Sequence, residues 1–243
     1  MDLDFDSFTE IAKKIWKEEW SEINKFIVSR KIPILFHFTP IENLASILET
    51  GLMSRQELTT QNITFKPTDN MRLDGITSGT CFSITKPNLG LLRQKRNISQ
   101  NNIVVLECAA NTLLLYPFVA FPGNAASGAF ANDKSENTHR YTGINGLKNL
   151  YLNKSLRTKY TLNINEPTDN QSEIIFLENI AVNRILRVHV PGGTNFQAIN
   201  EHNEIIQETD TPDFHFPCDC DFLSNGYVPF AGVGRFSFDW FSD

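Results

Sequence analysis

Three stretches of this chain carry residue types and spacings that could do chemistry. The first is Ile34-Leu35-Phe36-His37-Phe38 followed by Thr39-Pro40-Ile41-Glu42, which reads as a buried strand running into a helix start. Thr39 can cap, Pro40 suits the first helical position and Glu42 closes a capping box. His37 therefore lies at a strand exit beside a helix N-terminus, where outward N–H groups favour anions and phosphates. A strand histidine bonded to a neighbouring carbonyl fits the same residues. The second stretch, Pro122-Gly123-Asn124-Ala125-Ala126-Ser127-Gly128-Ala129, is made of small residues that let a ligand or another backbone approach closely, or else is a plain loop with a helix turn. The third, residues 137 to 165, holds five basic residues, no acid, and Tyr141, Tyr151 and Tyr160. Interleaved bases and aromatics can track phosphates and stack bases of a single strand, and they also suit a solvated helix face.

The elements that must position these residues follow from periodicity and breakers. Ser7-Phe8-Thr9-Glu10 is a capping box, and Phe8, Ile11, Ile15, Trp16, Ile23 and Ile27 predict one amphipathic helix to about Ser29. After His37, the stripe Leu44, Ile47, Leu48 predicts a helix ended by Gly51. Ser54 to Gly79, which holds Arg72, reads as loop-rich. Strands are predicted at Thr80–Thr85, Ile103–Leu106, Ile174–Leu177 with Glu173 at its entrance, and Ile185–Val190. A short helix with a basic end (Arg93, Lys95, Arg96) precedes the second of these, and another helix is expected near Phe196 to Ile206. Short strands and separate helices without regular alternation predict an α+β fold.

Composition narrows the classes. With 243 residues and 41% hydrophobic content the chain can bury the core of one domain. We expect a single domain over 1–243, with an N-terminal helix (1–31), a catalytic core (32–190) and a C-terminal extension packed on it (191–243). No apolar run reaches membrane-span length and the acidic N-terminus is unlike a signal peptide, so a cytoplasmic protein is expected, and separately a monomer. Four cysteines make no disulfide framework. His215, Cys218 and Cys220 are spaced too tightly for an ordinary zinc knuckle, and no metal is expected. The net charge of −6 conceals a central segment, Gly75 to Asn165, with ten basic residues and three acids. Such a segment can bind a phosphate backbone locally.

His37-x-Thr39 with Ile41-Glu42-Asn43-Leu44-x-x-Ile47-Leu48-x-x-Gly51-Leu52 resembles the opening of the DarT family of DNA ADP-ribosyltransferases. Arg72-Leu73-Asp74-Gly75 with Phe82-Ser83-Ile84-Thr85-Lys86-Pro87-Asn88, then Gly123-Asn124-Ala125-Ala126-Ser127, then Gln171-Ser172-Glu173 continue the resemblance in order. It implies the ADP-ribosyltransferase fold, with two packed sheets and an NAD cleft between them. It also implies transfer of ADP-ribose from NAD to a base in single-stranded DNA, a pentosyl transfer that we also group with nucleotidyl transfer. An RNA or protein acceptor, or a non-catalytic nucleotide- or nucleic-acid-binding module, remains an alternative.

The resemblance further assigns roles. Glu173 becomes the catalytic carboxylate that grips the nicotinamide ribose and stabilises the oxocarbenium-like transition state, with Gln171 facing the acceptor. His37 and Thr39 contact the nicotinamide end of NAD, Phe38 belongs to the same cofactor site, and Ser46 contacts the cofactor from the following helix. Arg72 matches the family's essential arginine, described as helping to remove the acceptor proton. A guanidinium is a poor base, so we assign Arg72 to the diphosphate or to polarising the acceptor. Asn124 and Ala125 belong to the acceptor side, and Arg93, Lys95, Arg96, Lys148, Lys154 and Arg157 to the DNA backbone. The Arg72 and Asn124 stretches look more like the guanine-modifying branch than the thymine-modifying one. Members usually act as toxins or anti-phage effectors held in check by a macrodomain antitoxin of the DarG type.

Overall fold

The apolar run at 34–40 forms β1 (Ile34–Pro40), and partners on both sides place it inside a sheet. The computed structural model describes residues 5–68, 74–98, 103–127, 130, 137–189 and 233–234. Helices α1 (Phe5–Glu18) and α2 (Trp20–Arg30) precede β1, and α3 (Leu44–Thr50) and α4 (Arg55–Thr60) follow it. Then come β2 (Thr80–Ile84), α5 (Leu89–Ile98), β3 (Ile103–Ala109), α6 (Thr112–Leu115) and β4 (Phe118–Phe121). Helices α7 (Thr138–Tyr141), α8 (Gly143–Asn149) and α9 (Lys154–Lys159) lead to β5 (Glu173–Phe176), β6 (Ile185–His189) and the short β7 (Val233–Gly234).

The class is α+β, as expected, with a sheet of order β4-β5-β2-β1-β3-β6-β7 in which every pairing but β6–β7 is antiparallel. The two sheets expected are the two halves of this order, β4-β5-β2 and β1-β3-β6-β7, which join at a narrow seam. Thr80, Cys81 and Phe82 of β2 pair with β5, and only Ser83 and Ile84 meet β1. β1 keeps its ladder to β3 over its whole length, from Ile34 opposite Ala109 to Pro40 opposite Ile103. From His37 onward β1 has no ladder to β2, and the sheet opens there.

Both faces of the sheet are buried. One carries the largest cluster, in which Leu35, Leu106, Phe82 and Phe176 pack with Ile23 and Ile27 of α2, Leu44 and Ile47 of α3, and Ile144 and Leu147 of α8. The other face has two separate clusters. Phe8 and Ala12 of α1 cover Val119, Phe121 and Ile175 in one half, and Leu92 of α5 covers Phe36, Ile103 and Val105 in the other. Each fully buried Leu, Ile or Phe contributes roughly 1.5–3 kcal/mol. On the α5 side, buried Glu107 of β3 accepts from His189 Nε2 (2.6 Å) and Arg187 Nη1 (3.4 Å) of β6.

Two local expectations are corrected. The single N-terminal helix is two helices broken at Glu19 (φ −97°, ψ 9°). The break turns the Glu19 carboxylate onto the Ile144 N–H at the start of α8 (2.8 Å), and Trp16 and Trp20 donate to the carbonyls of Leu113 and Leu114. A Cβ on Gly143, at φ +52°, would collide with that carboxylate. The capping box at Thr39 also does not form. Thr39 and Pro40 stay in β1, Ile41–Asn43 is a 3₁₀ turn, and α3 begins at Leu44 without a side-chain cap. Thr39 bonds to Asn43, and Glu42 pairs with Lys66 (2.5 Å). Gly51 does end α3, at φ +87°, with the Ile180 carbonyl where a Cβ would lie. Arg72, the helix expected near 196–206 and the His215-Cys218-Cys220 cluster lie outside the described residues, as does the Arg96 side chain. Among the described residues no helix is long and apolar enough to cross a membrane.

Candidate active site

A cleft of about 390 Å³ occupies the place where β1 and β2 part, and it is lined from both sides of the seam. A volume of that size suits a nucleotide or similar ligand. His37, Thr39, Asn43 and Ser46 line it from β1 and the start of α3; Thr80 to Ser83, Glu173, Asn124 and Ala126 line it from the other side.

On the β1 wall, His37 Nδ1 lies 2.8 Å from the Cys81 carbonyl. A carbonyl only accepts, so Nδ1 carries the proton and donates it. The bond acts as a side-chain rung just beyond the last backbone pair, Phe36 with Ser83, and the ring lies against Phe82 with centroids 5.3 Å apart. His37 is thus the carbonyl-bonded strand histidine and a cleft residue at once. Phe38 and Ser46 also line the cleft, and Thr39 is buried at 5% exposure. The segment 64–68 closes this side. Burial works to raise the Glu42 carboxyl, and the adjoining Lys66 ammonium outweighs it and holds the group below its ordinary value. From α5, Lys95 reaches the cleft at 6% exposure and donates to the Thr68 carbonyl (3.4 Å).

The β5 wall is built around Glu173, opposite Phe121 of β4. Its Oε2 accepts the Ala125 N–H at 2.9 Å. The turn that presents this N–H is shaped by Asn124, whose Oδ1 accepts from Ala126 N (2.8 Å) and whose carbonyl accepts from Ser127 N. Residues 124–127 of the small-residue run therefore form a backbone turn that holds the carboxylate. Gln171 is exposed, its N–H bonded to Asp169.

Other expected site residues sit apart. Arg93 is exposed on α5 and Lys148 and Lys154 are exposed on α8 and α9, none of them lining the cleft. Arg157 donates to the carbonyls of Glu166 (2.6 Å) and Asn163 (2.7 Å), bracing the 160–166 loop. Asn43, Asp74 and Lys66 are among the cleft residues that were not singled out from sequence. Asn43 lies inside a quoted motif but carries no chemistry of its own. Asp74, 6% exposed, accepts from Ile76 N (2.8 Å) and faces the Cys81 thiol. Its side chain looks like ordinary turn chemistry in sequence. Among the described residues no group of three His, Cys, Asp or Glu could hold a metal ion.

No curated protein sequence matches the chain. Among solved structures, Thermus sp. 2.9 DarT in complex with carba-NAD+ is similar at 14% identity and TM-score 0.46, covering 86% of this chain and 97% of that one. The same protein in complex with NAD+ gives 13% identity and TM-score 0.43 over the same shares. Thermosipho africanus DarTG in complex with ADP-ribose gives 16% identity and TM-score 0.42, covering 66% of this chain, which spans 44% of that one. The family model for DarT, described as an ssDNA thymidine ADP-ribosyltransferase, matches residues 36–211, from β1 past β6 and both walls of the cleft, and the chain therefore belongs to the DarT family.

Proposed function

We propose that this chain transfers ADP-ribose from NAD to a base of single-stranded DNA. The observation that carries the reading is the cleft itself, where a carboxylate fixed by a backbone N–H faces a histidine and a hydroxyl across a split sheet. NAD is the co-substrate, as in the Thermus complexes, and the residues fit it. Lys95 offers charge to a diphosphate, while His37 and Thr39 offer polar groups to the nicotinamide end. Glu173, with Oε2 held by Ala125, is the carboxylate we assign to the ribose hydroxyls.

In the reaction the glycosidic bond breaks, nicotinamide leaves with the electron pair, and C1 of the ribose becomes oxocarbenium-like. Negative charge at Glu173 stabilises that cation more than it stabilises bound NAD. A base nitrogen then bonds to C1 and its proton passes to water or to Glu173. The bond broken is glycosidic, so this is pentosyl transfer, and nucleotidyl transfer does not describe it. The base must be free of the duplex stack, which favours single strands.

For the base itself we propose guanine, on the resemblance of the Arg72 and Asn124 stretches. Thymine is the second reading, favoured by the family description. We also propose a toxin role with a macrodomain partner, on the family resemblance. The test is incubation with NAD and single-stranded oligonucleotides, each lacking one base, followed by mass analysis. The reading requires a covalent ADP-ribose adduct. Oligonucleotide binding with no mass shift would favour a silent binding module, and modification of RNA or protein alone would change the acceptor.

A further inference from the structure

Asn43 uses its whole amide. Its Oδ1 accepts the Lys66 N–H (2.7 Å), and its Nδ2 donates both to the Lys66 carbonyl (2.8 Å) and to Thr39 Oγ1 (2.9 Å). The Lys66 N–H can only donate, so it fixes which end of the amide is oxygen, and Thr39 Oγ1 is then necessarily the acceptor. The single hydroxyl proton of Thr39 has no acceptor among the described residues, and Thr39 is buried in the cleft wall.

We propose that Asn43 is a positioning residue that does two things at once. It polarises Thr39 into a hydrogen-bond donor aimed at bound dinucleotide, and it clamps the 64–68 segment across the same cleft. The inference rests on the NAD-cleft reading given above. No other side chain supplies this pattern. Alanine removes all three bonds. In Asn43→Asp the carboxylate can still take the Lys66 N–H but repels the Lys66 carbonyl, and it draws the Thr39 proton toward itself, reversing the bond. Glutamine places its amide one methylene further along.

The experiment measures NAD affinity by titration without acceptor, turnover on oligonucleotide, and hydrogen exchange of the peptide covering 62–68. Asn43→Ala is expected to weaken NAD binding about tenfold, the scale of losing a few polar partners together. It should change kcat less than threefold and speed exchange at Lys66. Asn43→Asp should bind NAD more weakly than Asn43→Ala, and that gap should close in a Thr39→Val background, where charge repulsion alone would leave it open. Thr39→Val should itself lose affinity while Thr39→Ser keeps it. Equal affinity of wild type and Asn43→Ala, or a gap unchanged by Thr39→Val, would overturn the proposal. If Asn43→Ala does not fold, the Thr39 pair decides: Thr39→Val binding like wild type overturns it. A wild-type protein that binds no NAD would overturn the cleft reading first, and this inference with it.

Discussion

The two walls of the cleft are built by different means. The β1 wall is held by a full ladder to β3, and its cleft residues are tied by side chains: His37 to Cys81, and Asn43 to Thr39 and Lys66. The β5 wall hangs on a short strand, and its Glu173 carboxylate is held by a backbone N–H from a turn of small residues. The difference separates two tasks. Side-chain clamps on a rigid strand suit binding of a ground state, whereas a carboxylate with one oxygen fixed suits a charge that develops only in the transition state.

The largest expected effect breaks the second wall. Glu173→Ala should lower kcat by about 10²- to 10³-fold, the scale for removing one preorganised electrostatic group, with NAD affinity kept within about threefold. Single-turnover transfer and NAD titration on the folded variant measure the two separately. Equal losses in both would mean that the walls do not divide the work.

The first wall should respond the other way. His37→Ala removes the rung between β1 and β2 and is expected to weaken NAD binding about tenfold, with turnover falling alongside. Normal NAD affinity in that variant would leave His37 a strand rivet only. Lys95→Ala, with the ammonium beside Thr68 gone, should weaken NAD binding about threefold, and the loss should shrink as salt rises. A salt-independent change would assign Lys95 to packing.

Much of this arrangement was readable in advance because it depends on patterns that local chemistry enforces. The apolar run at 34–38 could only be an interior strand, and Glu173 at the polar edge of Ile174-Ile175-Phe176 had to sit at a strand entrance. Gly51 was legible as a helix end because it follows the stripe Leu44, Ile47, Leu48 where a left-handed residue closes a helix, and it does so at φ +87°. The seam in the sheet was not legible. It follows from β2 dividing five residues between two partners, a pairing choice that leaves no trace in β2's own alternation. Thr39 and Glu42 looked like helix caps because capping residues and cleft residues are the same small polar types. Asn43 competed for Thr39, Lys66 competed for Glu42, and tertiary partners won.

The basic residues divide the same way, and the smallest prediction concerns them. Tyr151 is flanked by Arg30 (4.6 Å) and Arg157 (5.4 Å), and burial pushes its phenol up. Arg157 spends both Nη groups on the carbonyls of residues 163 and 166, while Lys148 and Lys154 project from α8 and α9 into solvent. Arg157→Ala should therefore cost about 1–2 kcal/mol of stability, a Tm drop of a few degrees in a chain this size, and Lys148→Ala and Lys154→Ala should cost none. The same loop adds a pH dependence. Burial works to raise the Glu166 carboxyl, but bonds from Asn163 and the Lys86 ammonium outweigh it and hold it below the ordinary 4.5. A depressed carboxyl contributes stability above its unfolded pKa and loses it as pH falls through the folded one. Acid unfolding below about 4.5 should thus be blunted in Glu166→Gln, which is less stable than wild type at neutral pH and converges with it in acid. Single-strand affinity then sorts the bases. If Lys148 and Lys154 contact phosphates, their joint removal should weaken binding and flatten its salt dependence without altering melting. If only Arg157→Ala weakens binding, and in proportion to its loss of stability, the stretch from 137 to 165 is a scaffold for the loop and the strand must enter along α5.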